Sequence, residues 1–150
     1  MIAVIQRAKE ASVKITGTLK SSISTGLVVL LGIEDRDSNE DIEWLARKIV
    51  NLRIFDDPNG VMNLSSLDIN GELLVVSQFT LQASVKKGNR PSYTKAARPE
   101  IAIPLYESFL QVIELENNGR VYSGEFGAEM EVFLINDGPV TIIIDTKDRK

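Results

Sequence analysis

A short polar segment follows directly on an apolar run and consists of Ser77, Gln78, Phe79 and Thr80. Polar side chains at the end of a buried strand are a common place for a site in α/β proteins. Alternation along the strand predicts that Ser77 and Phe79 face one side, and that the other two residues face the opposite side. The hydroxyls and backbone N–H groups of this segment can stabilise negative charge on a carbonyl oxygen, as an oxyanion hole does. The alternative is that the hydroxyls only cap the end of a strand.

The next segment is basic. Residues 73–99 contain no Asp or Glu, but they contain five cations: Lys86, Lys87, Arg90, Lys95 and Arg98. In a chain of net charge −4, this predicts a local anion site instead of a general coat for nucleic acid. With Tyr93 among the cations, the segment suits the phosphates and a stacked base of single-stranded RNA. The alternative is a solvated loop rich in lysine.

Two segments near the end of the chain are also candidates. The sequence FGAEM contains Phe126 and Met130, residue types that usually belong to a core but can also wall an adenine pocket. The sequence INDGPVTIIID places Gly138 and Pro139 between two runs that are typical of strands. Because Asp-Gly favours a tight turn, a hairpin is the favoured interpretation. The alternative is that the Gly-Pro backbone is itself functional.

The chain contains no cysteine and no histidine. This excludes disulfides, thiolate nucleophiles, the Ser-His-Asp triad and metal sites built from imidazole or thiolate. A hydrolase with this composition must use carboxylates, hydroxyls, backbone amides or groups of its substrate. We expect no metal and no cofactor. The first residues lack a long apolar run, which predicts a cytoplasmic protein with no membrane partner.

The hydrophobic pattern predicts the elements that position these residues. Residues 1–8 and 11–16 alternate as two strands of a hairpin, and residues 26–34 and 72–81 are typical of buried strands. Ser38, with Asp41 three residues later, predicts the start of a helix that runs to about Asn51.

A second helix is expected from about Pro99 to Asn117, with Gly119 at its end. Pro104 predicts a later start or a kink in that helix. Residues 129–136 and 140–145 are expected to be strands, and residues 146–150 a frayed, charged tail. The order predicts one α/β domain over residues 1–150, with a mixed, mainly antiparallel, barrel-like sheet and two helices packed on it.

When these segments are considered together, the chain resembles the D-aminoacyl-tRNA deacylases. The motifs SQFTL and NDGPVT match the two signatures of that family, SQFTL and NxGPVT, and NLRIFDD, MNLS, KKGNRPSY and FGAEM occur in the expected order. The resemblance covers about 145 of the 150 residues. Gln82, Tyr93 and the KDRK tail depart from the usual family pattern, which affects details of RNA contact more than the activity.

The resemblance implies a homodimer that hydrolyses the ester of a D-amino acid, or of misattached glycine, at the 3′ end of tRNA. It assigns Ser77, Gln78, Phe79 and Thr80 to the pocket around the ester, and Phe126 and Met130 to the terminal adenosine. It further implies that Gly138 and Pro139, joined by a cis bond, enter the partner's pocket and exclude L-amino acids. Arg7 and Asn136 support that motif, and Lys86, Lys87 and Arg90 contact tRNA phosphates.

The resemblance also implies that the 2′-hydroxyl of the substrate assists the attacking water, and a nucleophilic Thr80 is the competing mechanism. We expect no DNA partner. Two rival hypotheses are a non-catalytic module that binds the tRNA 3′ end and an editing domain like that of archaeal threonyl-tRNA synthetases.

Overall fold

One long strand, β1 (Ile2–Ile15), organises the fold of the computed structural model, which describes all 150 residues. The other elements are β2 (Thr18–Ile23), β3 (Gly26–Gly32), α1 (Asn39–Val50), β4 (Phe55–Asp56), β5 (Met62–Leu64), β6 (Glu72–Ser77), a 3₁₀ turn (Phe79–Gln82), α2 (Pro99–Glu116), β7 (Val121–Ser123) and β8 (Met130–Asp145). β1 pairs antiparallel with β2, β3 and β8, whereas β6 lies parallel to β3 and β7. The main sheet is therefore mixed, mainly antiparallel and barrel-like, which confirms the predicted fold class.

The core has two parts, one on each face of this sheet. The larger cluster holds 19 buried residues and includes the apolar faces of both helices, with Leu45 and Ile49 from α1 and Phe109 from α2. The smaller cluster of seven residues includes Leu74 and Val76 of β6. β6 is therefore covered on both faces, as the continuous apolar run predicts. Neither helix has the length and apolar character needed to cross a bilayer.

The start of α1 confirms the predicted capping signal. Ser38 and Asp41 form a capping box, in which the Ser38 N–H donates to Asp41 Oδ2 at 2.9 Å. Asp41 also accepts a hydrogen bond from Lys147 Nζ at 2.7 Å. Asp41 therefore joins the start of α1 to the segment that follows β8.

The end of the chain is held more firmly than expected. Thr146 is only 4% exposed, its N–H donates to the Met1 carbonyl at 2.9 Å, and its hydroxyl accepts a hydrogen bond from the Met1 ammonium at 2.7 Å. That ammonium also pairs with Asp37 at 2.5 Å. The prediction of a frayed tail over residues 146–150 is therefore wrong for its first half. Thr146 and Lys147 bond to buried partners elsewhere in the chain, which the tail sequence alone does not reveal.

Asp41→Asn is expected to destabilise the protein by about 1 kcal/mol at about pH 7, since a capping group and an ion pair are weakened. Burial acts to raise the pKa of Asp41, but hydrogen bonds from Lys147, Thr146 and Ser38 outweigh it and lower the pKa to about 2. A carboxylate whose pKa is lowered by folding stabilises the protein above its unfolded pKa, and loses that effect as the pH falls toward the folded value. Urea unfolding should therefore show the variant's deficit shrinking between about pH 4 and about pH 2.

Glu40→Gln is the matched control for this prediction. Glu40 lies in the same first turn of α1, but its side chain is 83% exposed. For Glu40→Gln we expect little change in the free energy of unfolding anywhere from about pH 7 to about pH 2. An equal deficit for Asp41→Asn at both ends of the pH range would contradict the assignment of an ionised Asp41 as the stabilising species.

Two strand predictions are wrong in their details, and β2, β4, β5 and β7 were not predicted at all. Residues 1–8 and 11–16 are not a hairpin but parts of β1, which continues through Lys9 and Glu10 with two register shifts against β8. Both residues are exposed at this irregularity, so their polarity resembles that of a turn. The partner β2 was not predicted, since its sequence TLKSSI is mostly polar. The strand predicted over residues 72–81 ends at Ser77, where the 3₁₀ turn follows.

α2 begins at Pro99, so of the two alternatives predicted from Pro104, a later start or a kink, the later start is wrong. Pro99 occupies the first turn, where no N–H is needed, and Pro104 leaves only the carbonyl of exposed Glu100 without its usual donor. The helix ends close to the predicted place, with Asn117 as its cap. Asn118 and Gly119 then both take left-handed φ values, and the Gly119 N–H donates to the Glu114 carbonyl at 2.8 Å.

Candidate active site

A cleft of about 280 Å³ lies where β6 ends. Its walls are formed by Ser77, Gln78 and Phe79 on one side, and by residues around Phe126 and Met130 on the other. Two segments separated by about fifty residues in sequence are thus brought together, as the sequence hypothesis requires. The cleft is mostly apolar, with polar groups concentrated at the strand end, which is the usual composition of a small-molecule site.

The segment SQFT is positioned by the strand beside it. The Gln78 N–H donates to the Leu31 carbonyl of β3 at 2.8 Å, and the Leu81 N–H closes the turn onto the Gln78 carbonyl at 3.2 Å. Gly32 makes this approach possible, because a Cβ there would lie 2.9 Å from Leu81 Cβ and 3.0 Å from the Gln78 carbonyl oxygen. Gly32 is a positioning residue that the sequence analysis missed.

Because the strand stops at Ser77, the predicted alternation of the next residues between two faces is wrong. Ser77, Gln78 and Phe79 all line the cleft, whereas Thr80 does not. Thr80 is held by a hydrogen bond from Gln78 Nε2 to its hydroxyl oxygen. The first N–H groups of a helical turn lack partners within the turn, so this segment can offer donors to an oxyanion.

The opposite wall is fixed by the core. The Phe126 ring packs against Tyr106 with 5.7 Å between ring centroids, and Met130 lies over Gly124, where a Cβ would meet its sulfur at 2.5 Å. Tyr106 donates a hydrogen bond to the Val75 carbonyl at 3.3 Å. Burial raises the pKa of Tyr106 to about 12, so the phenol stays neutral and serves as a packing residue.

The Gly-Pro pair is not a hairpin turn, so that favoured interpretation is wrong. Both arms of β8 pair with β1 in the same direction: Gln6 opposes Thr141 and Ala8 opposes Asn136. Between these pairs β1 has one residue, Arg7, while β8 has four, residues 137–140. The chain therefore bulges out of the sheet without reversing, and the Gly138–Pro139 peptide bond at its tip is cis. We call residues 137–140 the Gly-Pro loop.

Two side chains at the base of the Gly-Pro loop, those of Arg7 and Asn136, fix its backbone by hydrogen bonds. Arg7 is buried and donates from Nε to the Asp137 carbonyl at 2.8 Å and from Nη1 to the Ile54 carbonyl at 2.6 Å. Asn136 accepts from the Val140 N–H at 2.7 Å and donates to the Val140 carbonyl at 3.2 Å. The side chain of Asn136 thus closes the base of the loop as a backbone pair would.

The Gly-Pro loop does not line the cleft of its own chain. Gly138 and Pro139 are both exposed at the surface. The structure therefore brings together the SQFT and FGAEM segments, but leaves the Gly-Pro loop apart from them within one protomer.

The cationic residues Lys86, Lys87 and Arg90 are exposed within residues 83–98, which connect the 3₁₀ turn to α2 and which we call the basic loop. Within that loop, an isolated pairing of Ser84 with Ser92 closes the part that carries these cations. Next to this closure, the Tyr93 ring contacts the Phe79 ring edge-on, with 5.1 Å between centroids. No three acidic side chains in the chain are placed so as to hold a metal ion.

Comparison with known proteins identifies the family of this chain. The family model described as D-Tyr-tRNA(Tyr) deacylase matches residues 4–145. Relatives named D-aminoacyl-tRNA deacylase from Flavobacterium psychrophilum and Porphyromonas gingivalis are 62% and 63% identical, each over all of both chains.

Solved structures show the same fold. A structure titled c-Myc DNA Unwinding Element Binding Protein is 44% identical, with a TM-score of 0.93 over 97% of this chain and 98% of that one. A structure titled as a probable eukaryotic D-amino acid tRNA deacylase is 17% identical, with a TM-score of 0.82 over 95% and 97% of the two chains. At that identity the second likeness concerns the fold alone. The family match and the full-length relatives place the chain in the D-Tyr-tRNA(Tyr) deacylase family.

Proposed function

We propose that this protein hydrolyses the ester of D-aminoacyl-tRNA, and of glycine misattached to tRNA, releasing the amino acid and free tRNA. The observation that carries the proposal is the cleft, which joins the SQFT strand end to Phe126 and Met130. The family match supports the same reaction. Because charged tRNA is the substrate, we place the protein in the cytoplasm.

The reaction needs no protein base. Water adds to the ester carbonyl carbon and gives up one proton, and the carbonyl oxygen becomes an oxyanion. The oxyanion then reforms the carbonyl as the bond to the ribose oxygen breaks, and the ribose oxygen takes up that proton. The substrate's own 2′-hydroxyl assists the water, and the protein contributes position and charge stabilisation. The absence of histidine and cysteine is consistent with this division of work. Ser77 and Gln78 line the part of the cleft where the ester would lie.

We assign the terminal adenosine to the other half of the cleft. Phe126 offers a ring face and Met130 a polarisable thioether, which together suit a flat purine. The exposed cations Lys86, Lys87 and Arg90 would contact the tRNA phosphates that precede this adenosine. With the adenosine bound in this way, the ester would lie beside the SQFT segment.

Chirality would be selected by the Gly-Pro loop of the partner subunit. The loop is exposed, is held by Arg7 and Asn136, and is absent from its own cleft. A rigid backbone inserted into the partner's cleft would reject the side chain of an L-amino acid, while glycine has no side chain to reject.

A homodimer is the assembly that this selection requires. β8 pairs with β1 along one edge, while its other edge has no strand beside it. Exposed apolar residues lie along β8, including Phe133, Ile135 and Ile143. A long strand edge with exposed apolar side chains favours association. Light scattering should give twice the chain mass of 16.6 kDa, and a monomer would contradict selection in trans.

The direct test is deacylation of paired substrates. Purified protein is expected to release tyrosine from D-Tyr-tRNA and glycine from Gly-tRNA, while L-Tyr-tRNA stays charged. Binding of tRNA without turnover of the D-ester would instead support a non-catalytic module for the tRNA 3′ end. Equal cleavage of both stereoisomers would leave the hydrolase standing but remove chiral selection.

Thr80→Ala separates the two mechanisms. Because Thr80 does not line the cleft, we expect the variant to keep deacylation within about tenfold of the parent, the size of a lost positioning contact. Single-turnover rates with D-Tyr-tRNA would measure this. Near-complete loss with unchanged tRNA binding would identify the Thr80 hydroxyl as a nucleophile. Thr94→Ala, at an exposed position on the basic loop, is the control for loss of a threonine hydroxyl.

A further inference from the structure

Two aromatic rings form an exposed pair at the mouth of the cleft. Phe79 is 56% exposed and Tyr93 is 40% exposed, and the two rings meet edge-on with 5.1 Å between centroids. Phe79 also lines the cleft itself. The pair therefore extends the apolar surface of the cleft outward, onto the basic loop. We call Phe79 and Tyr93 the ring pair.

The ring pair is held in place by the backbone on both sides of Tyr93. Before it, Ser84 and Ser92 exchange hydrogen bonds at 2.8 and 2.9 Å. After it, the Ala96 N–H donates to the Tyr93 carbonyl at 3.0 Å, and the Ala97 N–H donates to the Ile33 carbonyl at 2.9 Å. Tyr93 is thus exposed but anchored to the end of β3. A fixed aromatic surface loses little entropy when a flat ligand stacks on it.

The cations around the ring pair favour a polyanionic ligand, and the rings favour one that carries flat bases. Residues 73–99 carry five cations and no acid, and Lys86, Lys87 and Arg90 lie on the exposed loop that Ser84 and Ser92 close. Cations that track a backbone, combined with rings that take bases, are the usual means of binding single-stranded nucleic acid.

We propose that the ring pair is a stacking platform for the base of the nucleotide that precedes the terminal adenosine, with the basic loop on its phosphates. This inference rests on the proposed function, because it takes the adenosine to occupy the cleft between Phe79 and Phe126. Tyr93 is then a substrate-binding residue outside the ester pocket. Tyr93 would therefore strengthen the binding of a nucleotide chain but not the binding of a lone aminoacyl-adenosine.

The test compares two substrates that differ only in the preceding nucleotides. These are D-Tyr-tRNA and D-tyrosyl-adenosine, which has the ester and the adenosine but nothing before them. Tyr93→Ala is expected to raise KM for D-Tyr-tRNA by about tenfold, the low end of base–aromatic stacking, with kcat unchanged. The kinetics with D-tyrosyl-adenosine should not change. Tyr93→Phe keeps the ring and should restore KM.

The matched control is Tyr122→Ala. Tyr122 is 43% exposed, similar to Tyr93, but it lies on β7 beside Leu110 and Glu114 and not at the cleft. KM for both substrates should stay at the parent value. Unfolding curves of all three variants check that the fold is retained.

Two outcomes would overturn the platform. An equal loss with both substrates would show that Tyr93 acts by positioning Phe79 and the ester pocket. An unchanged KM for D-Tyr-tRNA in Tyr93→Ala would show that no base stacks there. If the parent protein cleaves neither substrate, the proposed function fails instead. The platform is then decided by titration with an uncharged RNA trinucleotide ending in adenosine, which Tyr93→Ala should bind about tenfold more weakly than the parent.

Discussion

Gly138→Ala is expected to lower kcat/KM for D-Tyr-tRNA by about 100-fold, the effect of moving a positioning group by about 1 Å. The reason is that the inserted Gly-Pro loop would also form a wall of the partner's cleft and so help to position the D-ester. A Cβ at Gly138 would lie 2.8 Å from Val140 Cγ2, 3.0 Å from the Val140 backbone nitrogen and 3.2 Å from Arg7 Nη2. The Gly138 φ of +143° also lies in a region that residues with side chains rarely adopt. Since the backbone below is fixed by Arg7 and Asn136, the tip of the Gly-Pro loop must shift.

Gly60→Ala is the control for backbone conformation alone. Gly60 has a φ of +76°, but a Cβ there meets nothing within 4 Å. We expect this control to lose about 1 kcal/mol of stability with full activity. If Gly138→Ala kept the parent's rate and D/L ratio, the Gly-Pro loop would have no part in the reaction.

Mixed dimers test whether the loop acts in trans. One protomer carries Gly138→Ala and the other carries Phe126→Ala in its cleft. If the loop enters the partner's cleft, the intact loop meets the intact cleft, and such a dimer keeps one working site. If the loop serves its own cleft, each protomer has one defect and the mixed dimer is inactive.

Arg7→Ala is expected to be the most destabilising substitution near the site, with a loss of about 3 kcal/mol in the free energy of unfolding. The Arg7 side chain is 9% exposed, and its removal leaves the Ile54 and Asp137 carbonyls without their donors. It also removes the support that fixes the Gly-Pro loop. The free energy of unfolding, measured in urea, and the D/L ratio of the deacylation rates should therefore fall together.

Two variants separate the roles of Arg7. Arg7→Lys keeps the charge, but one ammonium cannot reproduce the planar fork that reaches both carbonyls. We expect it to recover part of the stability and little of the selectivity. Arg36→Ala removes an exposed arginine that pairs only with Glu34, and should change stability by less than about 0.5 kcal/mol. A fully selective Arg7→Ala enzyme would contradict the support role.

The sequence predicts those parts of the fold whose signals are local. The capping box of Ser38 and Asp41, the apolar stripe of α1 and the buried run before Ser77 are each set by residues a few positions apart. They appear in the structure close to where the pattern places them. The gathering of Ser77 and Phe126 around one cleft follows from the family resemblance, since no local pattern links them.

The features missed by the sequence analysis depend on pairing between distant segments. Lys9-Glu10 and Gly138-Pro139 both have the composition of turns, but each lies within a strand that continues because a long partner runs beside it. The buried partners of Thr146 and Lys147 lie at the other end of the chain or on α1. The contact of Tyr93 with Phe79 likewise needs the basic loop to fold back. A turn-like composition cannot distinguish a reversal of the chain from a bulge.

The pairing of β1 with β8 determines when the site can form. β1 is made first on the ribosome and β8 last, yet they pair from Ile2 with Asp145 to Ile15 with Met130. Contacts of such long sequence separation form late, because the loop between them must close first. Until then one edge of β1 is open to pairing with other chains. Arg7 meets the Gly-Pro loop only at this final step, so a chain that has not finished folding would lack the loop geometry on which the proposed chiral selection depends.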